Sequence, residues 1–498
     1  MDKNDKGIVH YETGEDQVKM SLSLTDDDTE DRGLLDKENE GPPHYTRSQL
    51  MGNESKAVFN FINSIIGAGI IGKKRKNGIY IKKRYSGIPF ALHEAGFILG
   101  VLLLTLVGIV TDYSILLLVK SGKIAGMDTY QDLMRKTFGK VGFYYLSAIQ
   151  FLFPFLAMSG YVVIVGDNIP KVLELIPQLR GTVLTEPHFI KFLVVIVVML
   201  PLSLYRNISN LGKVSLVSLV CVVFILIVIW VRFFSLGPDV PVTCDTYSFA
   251  NKGVAQAIGI MATTYVCHHN TFLIFDSLHY VSLHKFTRVT HTSVFISWLT
   301  VVLLGVGGYL TFKGNTQGDL LINYCPDDEV INAARFIYTV TIMLTFPIEC
   351  FVAREVIENL YLTFFKGKAN ETLLWHVVVT CLISFGALGV GETTDNLGFV
   401  LELNGVLAAT PLAFILPAAC YLKLAEGKIV SKKKIWALLL LIFGFIVMII
   451  GTVMSILSIV ENPRTCDTWR YCNASLVSFN GTVDQCMENR NETSFYAC

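Results

Sequence analysis

Residues 60–72 read NFINSIIGAGIIG, an apolar run that holds two asparagines and three glycines. Glycine loosens a helix, and loose backbone at membrane depth is tolerated where it faces a cavity. Amides left open at a half-helix N-terminus suit an anionic group, because the local dipole favours negative charge. Gly67, Ala68 and Gly69 are where such an opening is expected, with the polar side chains of Asn60 and Asn63 beside it. The competing use of these glycines is close helix packing. A second polar cluster lies far along the chain: Cys267, His268, His269 and Asn270, followed by Asp276. An ionisable side chain inside a bilayer is costly and marks a functional candidate. His268 and His269 either line a solute cavity and respond to protons near neutral pH, or sit neutral against a carbonyl at a helix break.

Both clusters lie within runs that must span a membrane. The 498 residues are 52% hydrophobic and 16% charged, with a mean hydropathy of +0.51. Unbroken apolar stretches recur near 98–119, 143–165, 188–205, 214–235, 253–276, 291–312, 333–353, 373–392, 397–422 and 435–459. Each approaches the roughly 20 residues that cross a hydrocarbon core. The interrupted stretch from Lys56 makes eleven, so an all-α integral membrane protein is expected. Nucleic-acid binding and soluble enzyme classes are excluded by this composition. No P-loop, dinucleotide glycine motif, nucleophile constellation or zinc-type spacing is present, so no enzyme activity and no organic cofactor are expected.

The ends differ in kind. Residues 1–50 carry thirteen acidic groups between Asp2 and Glu40 and little to bury, which predicts a solvated tail. With that tail in the cytoplasm, the loops on its side hold 17 Lys and Arg, against about seven opposite, which is the positive-inside pattern. Residues 51–460 then form the spanning domain, and 461–498 lie outside. That C-terminal tail carries sequons at Asn473, Asn480 and Asn491 and four cysteines, as an oxidising compartment requires. Sequons at Asn53, Asn207 and Asn370 fall on the cytoplasmic side. Cys244 and Cys325 fall in outer loops and are expected to pair; two free thiols, or pairing with the tail, are the alternatives. The five cysteines inside spans read as small apolar fillers. Residues 73–87 open with KKRKNGIYIKKRYS, seven basic residues in the middle of the first span. At bilayer depth each would cost roughly 2.5–3.5 kcal/mol. Either this insertion loops to one face or the first helix fails to cross.

Five phrases carry a family resemblance: FNFINSIIGAGIIG, PLSLYRNISNLGKVSLVS at 201–218, TYVCHHNTFLIFDSL at 264–278, LTFPIECFVAREVI at 344–357 and VLELNGVLAATPLAFILPAACYLKL at 400–424. Together they resemble the sodium-coupled neutral amino acid transporters of the amino acid/auxin permease group, from about Ser55 to Ser458 without the basic insertion. The resemblance implies an inverted 5+5 repeat like the bacterial leucine transporter, plus one extra helix. It also implies secondary active transport of neutral amino acids coupled to sodium by alternating access. The substrate would be held at Asn60, Gly67, Ala68, Gly69, His268 and His269. Sodium, which wants several neutral oxygens, would be held by Asn63 and Thr345, with Thr341 one turn earlier on the same face and Pro347 loosening that helix. Proton coupling or antiport, a receptor that binds without turnover, and an isoform inactivated by the insertion remain as alternatives. Many relatives have proline and glutamate where His269 and Asn270 stand. Among other charges, Asp112 and Glu402 are candidate gating or coupling groups, and Arg354 is expected at the cytoplasmic interface.

Overall fold

The computed structural model describes residues 47–66, 87–205, 212–240, 242, 246–251, 253–278, 282–316, 320–325, 328–365, 373–393, 404–428, 430–460, 469–472 and 475–478. The chain divides into two units, Met1–Gln49 and Leu50–Cys498; apart from the first residues of α1, the described residues belong to the second. The basic segment 73–86, Gly67, Ala68, Gly69, Cys244, Glu402, Asn473, Asn480 and Asn491 lie outside the described residues.

Among the described residues fourteen helices follow in order: α1 Arg47–Ile66, α2 Ile88–Ala95, α3 Phe97–Ala125, α4 Tyr130–Leu173, α5 Pro187–Ser203, α6 Gly212–Leu236, α7 Val254–Thr264, α8 Thr271–Asp276, α9 Leu283–Phe312, α10 Leu320–Asn323, α11 Glu329–Phe365, α12 Leu373–Thr393, α13 Gly405–Leu424 and α14 Ile435–Val460. Eight of them are long and apolar enough to cross a membrane: α3, α4, α6, α9, α11, α12, α13 and α14. The apolar α5 is shorter. One stretch is discontinuous within the described residues, α7 and α8 flanking a short 3-10 turn at His268–Asn270; between α1 and α2 lie residues 67–86, outside the described ones. The spanning region is all-helical as expected, and the tail beyond it adds an antiparallel hairpin, β1 Trp469–Cys472 with β2 Ser475–Ser478, in register Trp469 to Ser478.

Local chemistry explains several boundaries. Thr129 caps α4 by accepting from the Asp132 amide at 3.1 Å, and Ser282 caps α9 by accepting from the Lys285 amide at 3.2 Å. Gly139 (φ 70°) breaks α4 near its start, so a short leading segment precedes the long spanning one. By contrast, Pro347 does not interrupt α11, which runs helical on both sides of it. Neighbouring helices in membranes can absorb a proline's missing hydrogen bond. Helix α13 contains two successive π turns, Gly405–Ala409 and Pro411–Ile415, and α5 has one at Val195–Met199; such turns are rare and concentrate at functional sites.

Without a hydrophobic drive between helices in lipid, packing depends on close approach and shared polar contacts. Gly305 and Gly308 of α9 admit Ile88, Leu92 and Pro89 of α2 at distances a Cβ would block, and Gly405 of α13 lies against Thr263 of α7. Two apolar clusters result. One joins α2, α3, α7, α8, α13 and α14; the other joins α5, α6, α10, α11 and α12. Helices α1, α4 and α9 feed both: Phe61 and Ile65 of α1 enter the first cluster, Ile62 and Ile66 the second. Arg354 is buried among these helices. It donates to Ser203 O at 3.0 Å, Thr380 Oγ1 at 3.0 Å and Tyr205 O at 3.2 Å, tying α5, α11 and α12 together.

Gly96 joins α2 to α3 at φ 89°, and a Cβ there would stand 2.7 Å from the Phe249 carbonyl oxygen. Gly96→Ala is therefore expected to cost about 1–3 kcal/mol, read as a lowered melting temperature of the purified protein in detergent.

Candidate functional site

Two polar centres lie among these helices. The first is built from α1, α6 and α11. Asn63 Oδ1 accepts from Thr345 Oγ1 at 3.0 Å and from Ser218 Oγ at 2.7 Å. Ser215 Oγ donates to Asn60 Oδ1 at 2.7 Å and stands 3.4 Å from Asn63 Nδ2. All five side chains are buried. Asn63 and Thr345 are 282 positions apart, and the fold brings them into contact. Thr341 takes the common course for a membrane threonine: its hydroxyl donates to Ile337 O at 3.1 Å, while its carbonyl lies 2.9 Å from Thr345 Oγ1. Asn60 stands with Asn63 against α6. The cluster is thus made of neutral carbonyl and hydroxyl oxygens, the donor set that suits a hard monovalent cation.

The second centre is the turn between α7 and α8. Thr263 and Thr264 return their hydroxyls to Gly259 O and Ile260 O, each at 2.9 Å, so the end of α7 is closed by its own side chains. The next three buried residues point to different neighbours. The ring of His268 lies edge-on to Phe414 of α13 at 6.5 Å, and neither ring nitrogen has a partner. His269 Nε2 is 3.1 Å from Glu349 Oε2 of α11, and its ring lies 5.0 Å from that of Phe153 on α4. Asn270 Nδ2 donates to Ser64 Oγ of α1 at 2.6 Å. The turn therefore binds α1, α4, α11 and α13 to one another.

Three amide side chains around this turn share a pattern. Gln150 Nε2 donates to His269 O at 3.3 Å and Asn404 Nδ2 to Phe153 O at 3.2 Å. Carbonyl partners fix the orientation of both amides, since only the NH2 can donate. Their oxygens Gln150 Oε1 and Asn404 Oδ1, with Asn270 Oδ1, are buried without a partner. Buried acceptors left open cost free energy unless a ligand or water fills them. All three are acceptors, so the group that would satisfy them is a donor such as an ammonium.

Ser218, Ser215, Glu349, Gln150 and Asn404 were not singled out as site residues by sequence reasoning, although Glu349 stands out as a carboxylate inside a span. Asp112 pairs instead with His291 of α9 at 2.8 Å, on a face where the His291 side chain is 55% exposed. Cys325 is disulfide-bonded, whereas Cys221, Cys267, Cys350, Cys381 and Cys420 are free thiols. Glu349→Ala strips His269 of its partner across α11 and is expected to lower stability by about 1–3 kcal/mol. Glu349→Gln, which retains a hydrogen-bonding group, should lose less; thermal melts of the three proteins side by side provide the check.

A family model described as transmembrane amino acid transporter protein matches residues 52–457. The mouse protein named "Putative sodium-coupled neutral amino acid transporter 11" is 43% identical over 86% of this chain and 90% of its own length. Its human namesake is 44% identical over 81% of this chain and 98% of its own. Vacuolar amino acid transporter 2 of Saccharomyces cerevisiae is 34% identical, covering 81% of this chain and 83% of its own length. Among solved structures, the manganese transporter of Eremococcus coleocola superposes with a TM-score of 0.48 at 11% identity, over 85% of this chain and 95% of that one. The matched segment takes in both polar centres, and the chain belongs to the transmembrane amino acid transporter protein family.

Proposed function

We propose that this protein is a secondary transporter that carries neutral amino acids across a membrane by alternating access, with sodium as the coupling ion. The observation that carries the reading is the meeting of Asn63 and Thr345 at 3.0 Å within a cluster of neutral oxygens. Sodium binds there. The amino acid binds at the turn between α7 and α8, its ammonium facing the open oxygens of Gln150, Asn270 and Asn404. Its carboxylate meets the backbone of Gly67, Ala68 and Gly69, with Asn60 nearby and His268 and His269 lining the cavity. Ser64 and Asn270 join the two interrupted helices at 2.6 Å, so both ligands act on one hinge region. The names of the relatives support an amino acid as substrate and sodium as partner.

Eleven spans follow if α1 with α2 and α7 with α8 each count as one crossing and α5 as another. The two interrupted spans then lead the halves of a 5+5 repeat, α14 being the extra helix, as matched broken helices in a transporter would. In this reading residues 1–50 are a cytoplasmic tail and 461–498 an outer tail glycosylated at Asn473, Asn480 and Asn491. Cys244 is the disulfide partner of Cys325. The membrane is the cell surface or, as the name of the yeast relative suggests, an internal one. Receptor and inactive-isoform readings would both appear as absent turnover.

A second reading, in which protons take part in coupling, is favoured by the buried His269–Glu349 pair. Other titratable side chains beside the pair include His268 in the same turn and Tyr161 of α4. Uptake of labelled glutamine or alanine in cells, with sodium against choline, tests the first reading: sodium-dependent uptake is expected, and its absence with the protein in the membrane overturns it. A chain lacking residues 73–87, measured alongside, is expected to transport at least as well, since seven charges leave the first span. Under the second reading His269→Gln flattens the pH profile of uptake.

A further inference from the structure

Several serines in the described helices of this protein donate to their own helix. Ser121, Ser203 and Ser293 each reach the carbonyl four residues back at 2.7 Å, as serine in a helix commonly does. Ser215 and Ser218 depart from this habit. Both donate from α6 across to α1, and their spacing of three residues matches that of Asn60 and Asn63, so two rungs link the helices. The rungs are not equivalent. Ser215 is engaged by both asparagines, donating to Asn60 Oδ1 and standing near Asn63 Nδ2. Ser218 gives its proton to Asn63 Oδ1, and no described residue donates to its own oxygen.

We propose that Ser218 is a direct ligand of the coupling cation, which makes the cation site a junction of α1, α6 and α11. This rests on the sodium reading above. A carbonyl oxygen has two lone pairs, and those of Asn63 Oδ1 are taken by the hydroxyls of Ser218 and Thr345 at 2.7 and 3.0 Å. For a cation to bind there, both protons must turn aside. Thr345 has its alternative in place, the Thr341 carbonyl at 2.9 Å. Ser218 has the carbonyl of Val214, four residues back on α6, the acceptor that its sister serines use. Once both protons have turned, Asn63 Oδ1, Ser218 Oγ and Thr345 Oγ1 direct lone pairs at one point. No bond to α6 is lost without replacement, because the ion takes the place of the proton between Ser218 and Asn63. The described groups of this junction are neutral oxygens with no carboxylate among them, a donor set that suits a monovalent hard cation better than a divalent one.

The test is a sodium titration on the full-length protein, read in two ways: half-saturating sodium for amino acid uptake, and the rise in melting temperature that sodium gives the purified protein. Ser218→Ala is expected to raise the half-saturating concentration on the order of tenfold in both. Ser218→Thr, which restores the hydroxyl, should return it towards the parent value. Asn63→Ala and Thr345→Ala serve as references. If these two shift the titration and Ser218→Ala does not, Ser218 is a strut between helices and the proposal fails while the sodium site stands. If none of the three shifts it, the sodium reading itself falls. Should the alanine variant fail to fold, Ser218→Cys keeps the volume and replaces a hard oxygen with soft sulfur. Sodium stabilisation at parent concentrations in that variant overturns the proposal, and its loss from a protein that melts normally without sodium supports it.

Discussion

The amide oxygen of Asn63 is the constraint from which the arrangement follows. In lipid an unpaired carbonyl is expensive, and this one is supplied by α6 and α11 together. Helix α1 is thereby held with one face in each apolar cluster, and the two clusters meet along it. The two polar centres lie one residue apart on α1: Asn63 faces the oxygen cluster, and Ser64 receives Asn270 from the turn between α7 and α8. Whatever binds at one centre acts on a helix that forms the wall of the other.

The second centre works by a different economy of hydrogen bonds. Around His269, the amides commit their donor ends to protein carbonyls and leave their acceptor ends open. That polarity is chemical information. A site for an anion would show the opposite pattern, with NH groups open and oxygens engaged. The turn also disperses its side chains, so that His268 addresses α13, His269 addresses α11 and α4, and Asn270 addresses α1.

How much of this could be read from the sequence depended on whether the signal was local. An interrupted span is visible where polar residues stand out in an apolar run, and the break at 265–270 falls at the histidine pair. The association of Asn63 with Thr345 was reached through motif resemblance, since nothing within either segment points to the other. Ser215 and Ser218 escaped notice because a serine in a membrane helix reads by default as bonded to its own backbone. Glu349 escaped as the partner of His269 because 80 positions separate them. The contacts of Arg354 with the carbonyls that end α5 were equally out of reach, since about 150 positions separate them. The tail hairpin lacks an alternating apolar pattern long enough to announce itself.

The two consecutive π turns of α13 carry a mechanical implication. A π turn accommodates one residue more than the α turn it replaces, a surplus that can be handed along the helix while most hydrogen bonds stay made. Expelling that residue from one turn would rotate all that follows by about 100°, the angle one residue subtends in an α-helix. In α13 the surplus sits beside Phe414, which faces His268, and just after Asn404, which holds the Phe153 carbonyl. The helix can thus re-aim the side chains it presents to His268 and Phe153 as a crease travels through cloth, without α13 as a whole having to tilt.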